Sequence, residues 1–359
     1  MESELPEHRG FDWALIGPRG LRAGWSILLF AAAYYLIRLI AGTVFFTIGL
    51  VSDKSDFSAA SVLFGEMVPF LALLGAAAVM GLIERRRILD YNLTGPSRAG
   101  HFLSGVAAGF AALSLLAGTL AWGGWLRFGP AALSGAAILR FAALWGCAFL
   151  VVAAVEEGLF RCYTLFTLTR GISFWWALAA QIAICLYLAL NGGGHDAWGV
   201  YAAATLGFFP CLALHQKAAP RSGAFWQAAW VTSTVFGLYH TSNNGENWIG
   251  IFAASFIGFV FCVSVRVTGS VWWAIGCHAA WDWAETFFYG TADSGLQGQG
   301  HFLSASPAGN PLWSGGADGP EGSLLVLGVI LLLLLLLLVL YGRGKQPAPD
   351  APAAQQAAD

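Results

Sequence analysis

Three stretches of this chain place reactive side chains inside apolar sequence. Glu156, Glu157 and Arg161 follow the apolar run 141–155. His240 ends another apolar run, four residues after Phe236. His278 and Asp282 sit within a third. An ionisable group near a bilayer centre costs roughly 2.5–3.5 kcal/mol, so such groups tend to mark function. On a helix, residues four apart share a face and adjacent residues point about 100° apart. Glu157 and Arg161 are therefore set to pair, and His278 and Asp282 to share a face. Glu156 points elsewhere without that partner, as a buried carboxylate suited to act as a base. Structurally, the same cluster would serve as polar contacts locking helices together.

The elements that must position these groups are apolar helices. Hydrophobic residues make up 57% of the 359 and charged residues only 11%, against about 25% charged in soluble domains. Mean hydropathy is +0.66. The chain is expected to be all-α, a polytopic transmembrane helical bundle of about 8–10 spans with an intramembrane polar site. Apolar runs begin near residues 23, 59, 101, 136, 174, 197, 224, 248, 270 and 323. The fourth is too long for a simple span, with Gly158 as its weak point. The expected organisation is a polar arm at 1–22, accessory helices over 23–135 and the core carrying the motifs at 136–290. An exposed, irregular loop at 291–322, a last span at 323–342 and a disordered tail at 343–359 follow.

Basic residues fall on alternate connections: Arg85 to Arg87, Arg170, Lys217, Arg221, Arg266, Arg343 and Lys345, with Arg9, Arg19 and Arg22 ahead of the first run. The positive-inside rule then puts both termini in the cytoplasm of a multi-pass cell-membrane protein. No apolar core precedes a small-residue cleavage site near the start, so insertion should rely on the first span. A net charge of −2 without a large basic cluster argues against nucleic acid as a partner. The expected partners are the lipid bilayer and a membrane-associated peptide or protein. The six cysteines form no Cys-x-x-Cys pair and read as small buried hydrophobes.

In order, the motifs read Glu156-Glu157-x-x-x-Arg161, Phe236-x-x-x-His240 and His278-x-x-x-Asp282. Together they resemble those of the CAAX-processing and bacteriocin-processing (CPBP, or Abi) endopeptidases, which include the Ras-converting CAAX endopeptidases. The resemblance covers roughly residues 140–289. It implies an intramembrane endopeptidase cleaving a membrane-associated or lipidated substrate. Glu156 would activate a water with help from His240. His278 and residue 282 would stabilise the oxyanion. Glu157, Arg161 and Phe236 would support the site. Relatives often carry Asn where this chain has Asp282. An ionised Asp cannot donate to an oxyanion. It would have to be protonated, or accept the His278 proton and orient that ring, or activity would be reduced; the orienting role is preferred.

No cofactor is expected. The alternative is zinc held by Glu156, His240 and His278, a two-His, one-carboxylate set, although no His-Glu-x-x-His helix is present. Two other functions fit intramembrane Glu, His and Asp. One is a proton-coupled transporter, against which no internal duplication is seen. The other is a non-catalytic immunity or scaffold protein that keeps the protease fold.

Overall fold

The computed structural model describes residues 12–17, 20–51, 57–218, 224–243 and 245–342. Most of the polar arm, the turn containing Lys54, the Pro220–Arg221 pair and the tail 343–359 lie outside the described residues. Each apolar run becomes a helix, giving an all-α polytopic bundle. Helix α1 spans Ala23–Thr47, α2 Ala59–Glu84 and α3 Arg98–Trp122. Helix α4 runs continuously over Ala136–Gly171. Helix α5 covers Phe174–Leu190, α6 Ala197–Ala218, α7 Phe225–His240 and α8 Trp248–Thr268. Helix α9 is Trp272–Asp282, continued by a π-helical segment, and α10 is Leu324–Tyr341. Among the described residues, seven of these helices are long and apolar enough to cross a membrane: α1, α2, α3, α4, α6, α8 and α10.

Helix α8 is the axis of the bundle, with 67% of its most apolar window buried, whereas α1 has 11% and faces outward. Helix α9 lies on α3. The contact is backbone to backbone: a Cβ at Gly105 or Gly109 of α3 would run into the main chain of Trp273 or Cys277, and one at Gly276 into that of Phe102. Small residues at facing positions are how apolar helices approach closely in lipid, where burial alone gives little attraction between them. The helix carrying His278 and Asp282 is thus seated on α3. A helix ahead of residue 136 therefore packs directly on one that carries two of the motif residues.

The expectation of an exposed loop at 291–322 is corrected. Ala292–Asp293 pairs with Leu296–Gln297 as a small hairpin. Ala305–Pro307 pairs with Leu126–Phe128 ahead of α4. Ser314, Asp318, Pro320 and Gly322 are buried. Asn247 ties this loop to α8. Its Oδ1 accepts from Ile249 N at 2.8 Å and caps the helix, while its Nδ2 donates to Gly322 O at 3.2 Å. Its backbone N donates to Asp318 Oδ2 at 3.1 Å. The Gly, Ser and Asp content that reads as flexible in sequence supplies turns and caps in a loop folded back on the bundle.

Candidate active site

Helix α4 leaves α-helical geometry just after the acidic pair. Residues Gly158–Thr164 form a π-helical segment inside a helix that continues to Gly171, so the long run is neither broken nor simply tilted. Such insertions recur at functional sites because they re-aim side chains and free main-chain groups. Here Asn92 Nδ2 donates to the Arg161 carbonyl at 2.7 Å.

Glu157 and Arg161 are both fully buried and pair at 3.0 Å. Three aromatic rings cover the guanidinium, with Phe236 centred 4.1 Å, Phe261 5.4 Å and Phe160 5.7 Å from its carbon. Gly258 makes the space, since a Cβ there would sit 2.6 Å from an Arg161 terminal nitrogen. The ring of Phe236 lies between this ion pair and His240, whose ring centroid is 4.7 Å from it. A desolvated cation over aromatic faces gains about 2 kcal/mol. Phe236 is therefore a packing partner of the Arg161 charge.

His278 comes in from α9. Its Nδ1 donates to Glu157 Oε1 at 3.0 Å, the oxygen that also accepts from Arg161. Its Nε2 faces Asp282 Oδ2 at 3.5 Å and Glu156 Oε2 at 3.8 Å. Glu157 thus holds Nδ1, while Asp282 stands on the other side of the ring, beside Nε2, where it could also accept a His278 proton. Sequence spacing pointed to the Glu157–Arg161 pair but could not show a contact to a helix more than a hundred residues away. His240, at the end of α7, donates from Nδ1 to Phe236 O at 2.8 Å, with Nε2 on the other side of the ring.

These groups meet in a cavity of about 520 Å³ lined by Glu156, Phe236, His240, His278 and Asp282. Glu66, Asp293 and Glu321 also line it. Side-chain exposure separates the acidic pair: Glu156 is 16% exposed and Glu157 0%. Besides Phe149, Val152 and Glu156 of α4, the wall is built from residues just beyond α1, the ends of α7 and α9, the first parts of α2 and α10, α8 from Gly250 to Phe261, and the 290–322 loop. All of these lie at one end of the bundle. Arg85 and Arg266 lie at the opposite ends of α2 and α8.

Two acids in the loop sit in unfavourable surroundings. Burial and the Glu246 carboxylate push Asp318 up to about 9. Burial and the Glu321 carboxylate push Asp293 up to about 7. Glu285, an ionisable residue within the ninth apolar run and three residues beyond Asp282, is a further buried acid near the site. Its placement in that run was a signal of the same kind as Glu156.

The residues of the zinc alternative do not converge in this geometry. Among the described residues, one ligand atom each from Glu285, Asp293 and Glu321 lies within 4.8 Å of the others, and Glu156, His240 and His278 do not form such a group. The donor set does not close around one ion here.

Residues 208–284 match the family model described as Rce1-like, Type II CAAX prenyl endopeptidase Rce1-like. The matched segment contains the Phe236-x-x-x-His240 and His278-x-x-x-Asp282 motifs and is similar to that family over these residues. Neither a curated protein nor a solved structure matches the chain.

Proposed function

We propose that the protein is an intramembrane endopeptidase in which Glu156 activates the attacking water. The observation that carries this reading is the separation of the acidic pair. Glu157 is sealed and committed to Arg161 and His278, while Glu156 reaches the cavity beside His240, His278 and Asp282.

In this reading the Nε2 lone pair of His240 accepts one hydrogen bond from the water. Glu156 takes the other proton as the water oxygen bonds to the peptide carbonyl carbon. The carbonyl oxygen becomes the oxyanion. Nε2–H of His278 points between Glu156 and Asp282 and donates to it, while Nδ1–H stays with Glu157. Asp282, in protonated form, supplies the second donor. Collapse of the intermediate breaks the carbon–nitrogen bond, and the proton held by Glu156 passes to the leaving amine. Preorganised donors at an oxyanion contribute about 2.7–4 kcal/mol each, and positioned proton transfer about 10²–10⁴-fold.

The substrate is a membrane-associated or lipidated peptide whose cleavage site unfolds into the cavity. The cavity lies at the end of the bundle away from the basic connections. With those connections in the cytoplasm, the peptide is presented from the outer half of the membrane, and both termini of the chain are cytoplasmic.

The test compares membrane peptides from cells making the native protein or Glu156→Gln. Peptides cleaved only with the native protein are expected, with the variant accumulating and melting like the native protein. Equal cleavage by a folded Glu156→Gln protein sinks the proposal.

A further inference from the structure

The end of α9 and the loop after it bring together three carboxylates that the hydrolytic steps do not use. Glu285 lies in the π-helical segment Trp283–Tyr289, Asp293 in the hairpin and Glu321 in the 3₁₀ turn before α10. One carboxylate oxygen from each lies within 4.8 Å of the other two. Asp293 and Glu321 have neutral donors: Thr286 Oγ1 donates to Asp293 Oδ2 at 2.8 Å, and Trp281 Nε1 donates to Glu321 Oε1 at 2.7 Å. Glu285 has none. Its side chain is fully buried, and neither carboxylate oxygen has a hydrogen-bond partner.

A buried carboxylate without a donor is a costly arrangement unless a charge or a proton answers it. Among the described residues, no basic side chain answers it. The loop 290–322 contains neither Lys nor Arg. No Lys or Arg among the described residues lines the cavity onto which Asp293 and Glu321 open. Among the described residues, the ion pairs involve none of the three acids. An all-oxygen, all-anionic set without His or Cys suits a hard divalent cation and disfavours zinc or copper.

We propose that Glu285, Asp293 and Glu321 bind a hard divalent cation, Ca²⁺ or Mg²⁺, that pins the 290–322 loop to the end of α9 at the rim of the cavity. The ion supplies the partner Glu285 lacks and offsets the repulsion among the three acids. Because the three ligands come from three separate elements, it also fixes the cavity wall contributed by Asp293, Ser294 and Glu321. Water completes its coordination.

The experiment uses full-length protein purified in detergent and stripped with chelator. Thermal unfolding is followed in chelator, in millimolar CaCl₂ and in millimolar MgCl₂, with calorimetric titration of each ion. The expected result is a rise of several degrees with at least one ion, and the two arms identify which. Glu285→Gln removes the carboxylate that has no donor, so it should fold and melt in chelator at or above the native temperature, with no response to the ion. Asp293→Asn should also lose the response and serves as a second reading should Glu285→Gln not fold. Glu156→Gln should keep it. No shift and no heat with either ion means that the acids share protons instead, and overturns the proposal. So does a response that survives in both loop-site variants, or one that Glu156→Gln abolishes and Glu285→Gln retains. The readout is stability, so it stands whether or not the protein proves to be a protease.

Discussion

Glu156 and Glu157 are neighbours with different surroundings. The Glu157 carboxylate has a buried cation on one side and an imidazole on the other, both on the same oxygen. Glu157→Gln leaves Arg161 charged in a pocket of aromatic rings with its ionic partner gone. Removing one member of a buried ion pair costs about 3–5 kcal/mol. The variant is therefore expected to unfold at a clearly lower temperature than the native protein and to accumulate poorly in membranes. Glu156→Gln, exchanged at a cavity surface, is expected to melt within a degree or two of native. Thermal unfolding of the two proteins side by side decides this, and the reverse order would mean the roles are exchanged. The pairing of Glu157 with Arg161 was legible from four-residue spacing, because helical geometry fixes it locally. The bond from Glu157 to His278 was not, since it depends on how α4 and α9 face each other. Nor was the place of Phe236 beneath a guanidinium, which takes a three-helix contact to define.

At the scale of elements, the site is only as exact as the seating of α9. Among the glycines of α3, Gly105 and Gly109 let the main chains of α3 and α9 touch. A methyl at residue 109 meets the Cys277 main chain, next to His278, and the helices must part to admit it. Overpacking of this kind costs about 1–3 kcal/mol. Displacing a catalytic group by about 1 Å can cost about 10²-fold in rate. Gly109→Ala is expected to retain the fold and lose most of its turnover, with little change in substrate binding. Gly118→Ala, whose added Cβ has nothing within 4 Å, is the control. Equal losses in kcat from both variants would remove the seating argument. The ten apolar runs were readable because bilayer thickness imposes their length and composition. The glycines of α3 were visible too, but their partner was not, as nothing in one sequence says which helix a smooth face meets. The loop at 291–322 misled for a related reason: Gly and Ser are read alike whether they make a flexible linker or the turns of a folded cap.

At the scale of the whole molecule, the bundle has two unlike ends. One carries Arg85 to Arg87, Arg170 and Arg266. The other carries the folded 290–322 loop, its buried acids and the mouth of the cavity. If charge sets orientation, a thiol placed on that loop faces away from the cytoplasm. With Cys147 replaced by Ser, Ser306→Cys is expected to react with a membrane-impermeant maleimide on intact cells. Ala99→Cys, exposed at the basic end of α3, should react only after the membrane is opened. The opposite pattern would invert the protein and bring its substrate from the cytoplasmic side.

The two π-helical segments begin directly after Glu157 and directly after Asp282. A π turn is, in effect, an α-helix holding one residue more than it needs. This gives the chain two places where a change of length has an unusual result. Deleting one residue from an ordinary span rotates everything beyond it by about 100° and turns its lipid face inward. Deleting one residue within Gly158–Thr164 or Trp283–Tyr289 can be absorbed by a return to regular α-helix, with the downstream face preserved. On the proposed reading, descendants of this sequence that have dispensed with catalysis can therefore shorten at these two points and remain folded. A single missing residue just after the acidic pair would be a mark of lost chemistry that no substitution at Glu156 need accompany.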